Sequence, residues 1–170
     1  MTPAKAQSLL DLDGGLVPSL EVPPRGKLPP ETATGSLRFR DQPAALMFEP
    51  GELERFVPID GIEIPAGPSY VVEDVDTGHE FRNVAPNDAL QAILARGRSP
   101  LTLEEGIALV AEHPDILREN HCFSLPGSRC GDKRVPAIWI SKGAAKVGWC
   151  WAGNPHTWLG NASCARRVSL

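Results

Sequence analysis

Residues 135–151, with the sequence VPAIWISKGAAKVGWCW, decide the fold of this chain. Aromatic and β-branched residues fill Val135–Ser141 and Lys146–Trp151, which is typical of two antiparallel strands joined by a turn. A four-residue loop between them would place Trp139 opposite Gly148. Because side chains alternate across a sheet, both faces of this hairpin are largely apolar and need to be covered.

The sequence on either side of the hairpin also predicts short strands. His121–Leu125 precedes it, and His156–Leu159 and Ala162–Val168 follow it, separated by glycine and proline. We therefore predict an antiparallel meander in this part of the chain. If His156–Leu159 pairs with the hairpin, His156 and Cys150 point to opposite faces, which argues against a thiol–imidazole dyad.

Two helices are predicted before the meander. Pro86 fits a first helical position, and Gly97 fits the position just after a helix end. Thr102 and Glu105 form a capping box at the start of the second helix, which ends at His113. Each helix has one apolar stripe, so we expect both to pack on the sheet as scaffold.

The N-terminal half is predicted to be extended. Five prolines within residues 18–30 fix φ and remove backbone N–H groups, so this segment cannot be helical. We predict a short helix at residues 2–12 and then an extended Pro-rich arm that links it to the body. Short strands are expected at Leu37–Arg40, Ala44–Phe48, Ile62–Ile64, Ser69–Val75 and His79–Val84.

The predicted fold class is α+β: a mostly antiparallel sheet with two central helices packed on it and an extended Pro-rich N-terminal arm. Residues 1–35 form the N-terminal helix and arm, and residues 36–170 form a single domain. The total of 170 residues suits one domain.

Composition excludes several classes of protein. The chain is 42% hydrophobic and 22% charged, as in globular proteins, which argues against disorder. No apolar run approaches the ~18 residues of a membrane helix, and the N-terminus lacks the apolar core of a signal peptide. We therefore expect a cytoplasmic protein that makes no membrane contact, with free thiols rather than disulfides.

Charge is distributed unevenly. Residues 1–119 contain 10 Lys and Arg against 20 Asp and Glu, whereas residues 120–170 contain 7 against one, Asp132. All four Cys and all four Trp also lie in this basic C-terminal segment. Two interpretations stay open: a basic surface that attracts an anion or nucleic acid, or internal pairing between the acidic and basic parts.

Residues 127–134, with the sequence GSRCGDKR, contain the strongest candidate site. Two glycines allow backbone N–H groups to converge on an anion, and Arg129, Lys133 and Arg134 add positive charge. Arg129 beside Cys130 favours the reactive thiolate form, which makes Cys130 the candidate nucleophile. The alternative is an ordinary solvated hairpin turn.

We predict a non-catalytic binding protein that recognises a small anionic ligand or a protein partner through the basic C-terminal β region. The predicted ligand-binding residues are Ser128, Arg129, Lys133, Arg134, Asn154 and His156. One alternative is an enzyme in which Cys130, His121 or His156 does the chemistry while Arg129 and Arg134 anchor the substrate. Another is a structural subunit of an assembly, and a homo-oligomer would be one such assembly.

Metal, cofactor and nucleic-acid binding are not favoured. The four cysteines are spaced by 8, 20 and 14 residues and include no C-x₂-C pair, which argues against a zinc site. No Walker-type phosphate loop is present, and we expect neither a metal nor a cofactor. The four tryptophans lie among isoleucine and valine, as core residues do, which argues against a stacking platform for nucleic acid.

Two strings, NHCFSLPGSRCGDKRVPAIWIS (120–141) and GWCWAGNPHTWLG (148–160), resemble an uncharacterised actinobacterial family of unknown function. The strings GRSPLTLEEGIALV (97–110) and VVEDVDTGHEF (71–81) extend the resemblance to roughly residues 70–165. The resemblance implies no activity and therefore assigns no catalytic residue.

Overall fold

The fold was analysed in a computed structural model that describes residues 9–170. Within this range the α-helices are α1 (Pro30–Gly35), α2 (Pro86–Ala95) and α3 (Leu103–Glu112). Short 3₁₀ turns occupy Leu53–Arg55, His79–Phe81 and Pro114–Ile116. The strands are β1 (Leu16–Val22), β2 (Arg38–Phe39), β3 (Gln42–Pro43), β4 (Ala45–Leu46), β5 (Val57–Pro58), β6 (Tyr70–Asp76), β7 (Ser99–Pro100), β8 (Cys122–Ser124), β9 (Ser128–Arg129), β10 (Arg134–Ser141), β11 (Ala144–Trp151), β12 (Leu159–Asn161), β13 (Ser163–Cys164) and β14 (Arg166–Ser169).

The described strands form two five-stranded sheets and two short ribbons. The first sheet has the order β1-β6-β13-β7, with β14 also paired to β6, and it is antiparallel throughout. The second sheet has the order β12-β8-β10-β11-β4. Its hairpin β10–β11 is antiparallel, but β12 and β4 join in parallel, so the predicted meander is only partly correct. The α+β class and the mostly antiparallel pairing are confirmed.

The Pro-rich segment is extended only in its first half, which is a core strand and not a linker; residues 25–27 form a turn, and Pro30 begins α1. Strand β1 pairs with β6 along its length and buries Val17, Leu20 and Val22. Because β1 lies at the sheet edge, Pro18 costs no ladder hydrogen bond. Residues 2–8 of the helix predicted at 2–12 lie outside the described residues. In the remaining part, Asp11 forms a β-bridge with Leu16.

The central hairpin has a tighter turn than the sequence predicted. Lys142 and Gly143 have φ of +54° and +76°, as the two-residue turns of hairpins require. The strands are therefore paired two residues away from the expected register, with Trp139 opposite Lys146. A shift by two leaves every side chain on its predicted face. Gly148 lies diagonally from Trp139, and a Cβ there would come within 2.9 Å of the indole.

Both predicted helices are confirmed at their caps. α2 begins at Pro86, and α3 begins with a full capping box between Thr102 and Glu105. α3 packs against β1 and β10, and α2 packs against β7 and β12. No helix within residues 9–170 is both long enough and apolar enough to cross a membrane.

Three predicted strands are wrong. Residues 62–64 are irregular, and the left-handed φ of +75° at Gly78 turns the chain into the 3₁₀ turn at His79–Phe81. The strand predicted at 156–159 begins only at Leu159 and pairs in parallel with β8. The residues before Leu159 form turns, which changes the position of His156.

Candidate functional site

The basic C-terminal segment is partly neutralised inside the fold. Three of its four arginines bind carboxylates of the acidic N-terminal part, in the ion pairs Arg134–Glu52, Arg166–Glu73 and Arg167–Glu105. Internal pairing therefore accounts for much of the charge asymmetry. Among the described residues, Arg129 alone of these four arginines forms no ion pair with a carboxylate.

Arg129 ends β9 and is half-buried. Its Nη2 donates a hydrogen bond to Asn87 Oδ1 at 3.0 Å, at the start of α2. Its Nε is buried and has no hydrogen-bond partner within residues 9–170. Burial lowers the pKa of Arg129, and the neighbouring Cys150 opposes this shift. Arginine nevertheless stays charged, so Arg129 is a partly desolvated cation without a counter-charge from the residues described.

A crevice too narrow to hold a water molecule lies beside the same end of α2. Cys150, Asn154 and His156 line it together with Pro86, the first residue of α2. The loop that carries Asn154 is held to the helix by a hydrogen bond from the Asn87 N–H to the Ala152 carbonyl, 3.0 Å long. Three predicted ligand-binding residues, Arg129, Asn154 and His156, are therefore grouped around the start of α2.

The prediction that Cys150 and His156 point to opposite faces is wrong. The turn before β12 brings His156 to the crevice that Cys150 also lines. Burial raises the pKa of Cys150 to about 12, which keeps the thiol protonated at neutral pH. No hydrogen bond within the described chain joins Cys150 to His156, so their proximity does not make a dyad.

Two of the other predicted ligand residues have structural contacts. Ser128 is fully buried, and its Oγ accepts a hydrogen bond from the Leu103 N–H at 2.8 Å, which satisfies a free amide at the start of α3. Arg134 binds Glu52 and Asp132, and its guanidinium lies 5.7 Å from the centre of the Trp149 ring.

The remaining candidates from the GSRCGDKR segment are Lys133 and Cys130. Lys133 is exposed, and its carbonyl accepts a hydrogen bond from the Ala152 N–H at 2.8 Å. The thiol of Cys130 accepts a hydrogen bond from Arg134 Nη2 at 3.6 Å and packs partly against the core. Arg134 itself is occupied by carboxylates and is not available to anchor a substrate beside Cys130.

The tryptophans differ from the expected core positions. Trp151 and Trp158 are 46% and 42% exposed, and the other two are only partly buried. Trp151 is the last residue of β11 and Trp158 directly precedes β12, so both lie at strand ends where the sheet is no longer covered. Each has an aromatic neighbour: Trp151 contacts Trp149 edge-on, and Trp158 lies against His156.

A histidine pair was missed by sequence reasoning. The Nδ1 atoms of His79 and His121 lie 3.2 Å apart, with their rings nearly perpendicular. His79 is half-buried, and its Nε2 has no partner in the described part of the chain. The two residues are 42 positions apart, so only tertiary pairing brings them together.

This pair predicts acid sensitivity. Burial and the neighbouring His121 lower the pKa of His79 to about 4, below the roughly 6.5 of an unfolded histidine. The unfolded chain therefore takes up a proton first, and stability is full above pH ~6.5 and falls as the pH drops toward 4. Because His79 is partly solvated, we expect a loss of about 1 kcal/mol from this group between pH 7.5 and pH 5.

Urea unfolding of the wild type and of His79→Gln at the two pH values measures this loss. The carboxylates respond to pH equally in both proteins, so the wild type should lose about 1 kcal/mol more stability than the variant. An equal loss in the two proteins would contradict the assignment.

The profile of DUF5701, a family of unknown function, matches residues 2–170. The chain belongs to this family. The DUF5701 match includes residues 2–69, which the sequence motifs left outside the resemblance, while the actinobacterial origin stays a prediction. No curated protein and no solved structure matches the chain.

DUF5701 membership assigns no activity, so the function has to be argued from the geometry. The described residues include no group of three or more His, Cys, Asp or Glu side chains placed to hold a metal ion. That metals and cofactors play no part stays a prediction from the sequence.

Proposed function

We propose that this DUF5701 protein binds a small anionic molecule, a carboxylate or a phosphate, at the Arg129 site, defined as Arg129, Asn87, Asn154 and His156. One observation supports the proposal above all: among the residues that the structure describes, Arg129 is a half-buried cation that has a neutral amide, and no carboxylate, as its partner. Leaving a desolvated charge unpaired is costly, and a bound anion would supply the missing counter-charge.

The donors at the Arg129 site suit two anionic oxygens. A guanidinium has five N–H donors in a planar fork, and Arg129 uses one of them on Asn87. Asn154 is exposed and His156 half-buried, so both can add hydrogen bonds from the loop that Asn87 holds to the start of α2. α2 begins without a side-chain cap, and the positive end of its dipole favours negative charge nearby.

The same geometry favours binding over catalysis. Cys150, which lies close enough to Arg129 to affect its pKa, is buried, and its own raised pKa keeps the thiol protonated. The candidate nucleophile Cys130 contacts an arginine that is already paired, and the His121 ring contacts the His79 ring. We also propose a cytoplasmic location, since all four cysteines are free thiols, as a reducing compartment would keep them.

The test compares Arg129→Gln with Arg55→Gln, a matched control at an exposed arginine. Thermal unfolding is measured with inorganic phosphate, succinate, citrate and AMP. A ligand near 100 times its Kd should stabilise the wild type and Arg55→Gln by about 2.7 kcal/mol. Arg129→Gln should bind at least about tenfold more weakly, because it loses the only charge at the site.

Stability without ligand gives a second readout. Removing a desolvated cation that has no counter-charge should leave Arg129→Gln as stable as the wild type, or more stable by about 0.5–1 kcal/mol. A loss of more than about 2 kcal/mol would show that Arg129 is a structural residue. An absence of stabilisation across the anions would contradict the proposed function.

A further inference from the structure

A groove of about 350 Å³ lies between α1 and α3, beside the end of β1. Its floor is apolar, and small alanine side chains from both helices leave it open: the floor residues are Pro23, Pro30, Ala33, Ile107, Ala108 and Ala111. A volume of this size falls at the lower end of the range for small-molecule sites, about 300–1,000 Å³.

Among the residues that the structure describes, the charged groups on this α1–α3 groove are carboxylates. Glu21, Glu104 and Glu112 line it, and no lysine or arginine of residues 9–170 does. Glu104 is already bound by Arg25 through a hydrogen bond of 2.6 Å. Glu21 and Glu112 are exposed: Glu21 accepts a hydrogen bond from Ser69 Oγ, and Glu112 lies 3.8 Å from His113 Nε2.

We propose that the α1–α3 groove binds a hydrophobic organic cation, that is, an amine or quaternary ammonium group attached to an apolar body. The apolar floor takes the body, and the carboxylates of Glu21 and Glu112 attract the cation. This groove shares no residue with the Arg129 site and selects the opposite charge, so either proposal can fail without the other.

The experiment titrates the full chain with phenethylammonium and, separately, with 3-phenylpropionate, which has a similar apolar body and the opposite charge. Binding is followed by calorimetry and by the NMR signals of the alanine methyl groups. We expect saturable binding of phenethylammonium, with the anion bound at least about tenfold more weakly. Equal affinity for the two probes, or no saturable binding of the cation up to about 10 mM, would overturn the proposal.

Two pairs of variants locate the binding. Ala111→Leu fills the groove and should weaken the binding of phenethylammonium at least about tenfold. Ala95→Leu, at an exposed position of α2, should leave this affinity unchanged. Replacing both Glu21 and Glu112 with Gln should weaken the binding of phenethylammonium about fivefold. The control Glu63→Gln removes an exposed carboxylate elsewhere and should leave affinity unchanged; an equal effect in a variant and its control would overturn the assignment.

Discussion

Replacing Glu105 with Ala is expected to destabilise the fold by about 3–5 kcal/mol, because the carboxylate is fully buried and pairs with a buried arginine. Glu105 accepts hydrogen bonds from Arg167 Nε at 2.6 Å and from the Tyr70 hydroxyl at 2.8 Å. It also accepts a hydrogen bond from the Thr102 N–H, which is part of the capping box of α3. Without it, the guanidinium of Arg167 would be left buried and unpaired.

Urea unfolding measures this effect, with Glu80→Ala as the control. Glu80 pairs with Arg96 at the surface, where an ion pair contributes at most about 1 kcal/mol. The double variant Glu105→Met with Arg167→Met should be less destabilised than the sum of the two single variants, since it leaves no charge unpaired. A cost below about 1 kcal/mol for Glu105→Ala would contradict the role assigned to this pair.

Gly160→Ala is the second change with a large expected effect, about 3 kcal/mol or failure to fold. Gly160 lies in β12, where an added Cβ would meet backbone: it would come within 2.8 Å of the Thr77 carbonyl oxygen and also contact the Gly78 carbonyl. Backbone atoms cannot rotate out of the way as the end of a side chain can, so β12 would have to move away from the turn at residues 77–78.

Gly153→Ala is the matched control, because no atom lies within 4 Å of the Cβ position there. Thermal and urea unfolding should show a change within about 0.5 kcal/mol for Gly153→Ala. Equal stability of the two glycine variants would contradict the close approach of β12 to the turn before the 3₁₀ segment at His79.

Local signals explain which elements the sequence predicted well. The start of α2 at Pro86 and the capping box of α3 depend on neighbouring residues, and both are confirmed. The predicted turn between β10 and β11 was too long, but the side chains of both strands still lie on the predicted faces of the sheet. A register shift by two residues does not change the face on which a side chain lies.

Features that depend on distant residues could not be predicted. Periodicity does not show that β12 joins β8 in parallel, and this pairing moves His156 into the crevice of Cys150. The contact between His79 and His121 likewise follows from the tertiary fold alone.

The candidate site was predicted in part. The distribution of charge along the sequence indicated a basic C-terminal segment. It could not show which arginines pair with carboxylates in the acidic part. Folding pairs Arg134, Arg166 and Arg167 and leaves Arg129 without such a partner. Ser128 was chosen for its place in a glycine-containing loop, yet the structure uses its hydroxyl to satisfy the amide of Leu103.

The most direct test of anion binding at Arg129 follows the arginine Nε–H signals by NMR during titration with inorganic phosphate and with succinate. The Nε–H of Arg129 is buried, so it should exchange slowly with water, and its signal is identified by its absence in Arg129→Gln. We predict that this signal shifts saturably with at least one of the two anions while the exposed Arg55 signal does not. A small, linear shift of the Arg129 signal that matches the Arg55 signal with both anions would contradict the proposal.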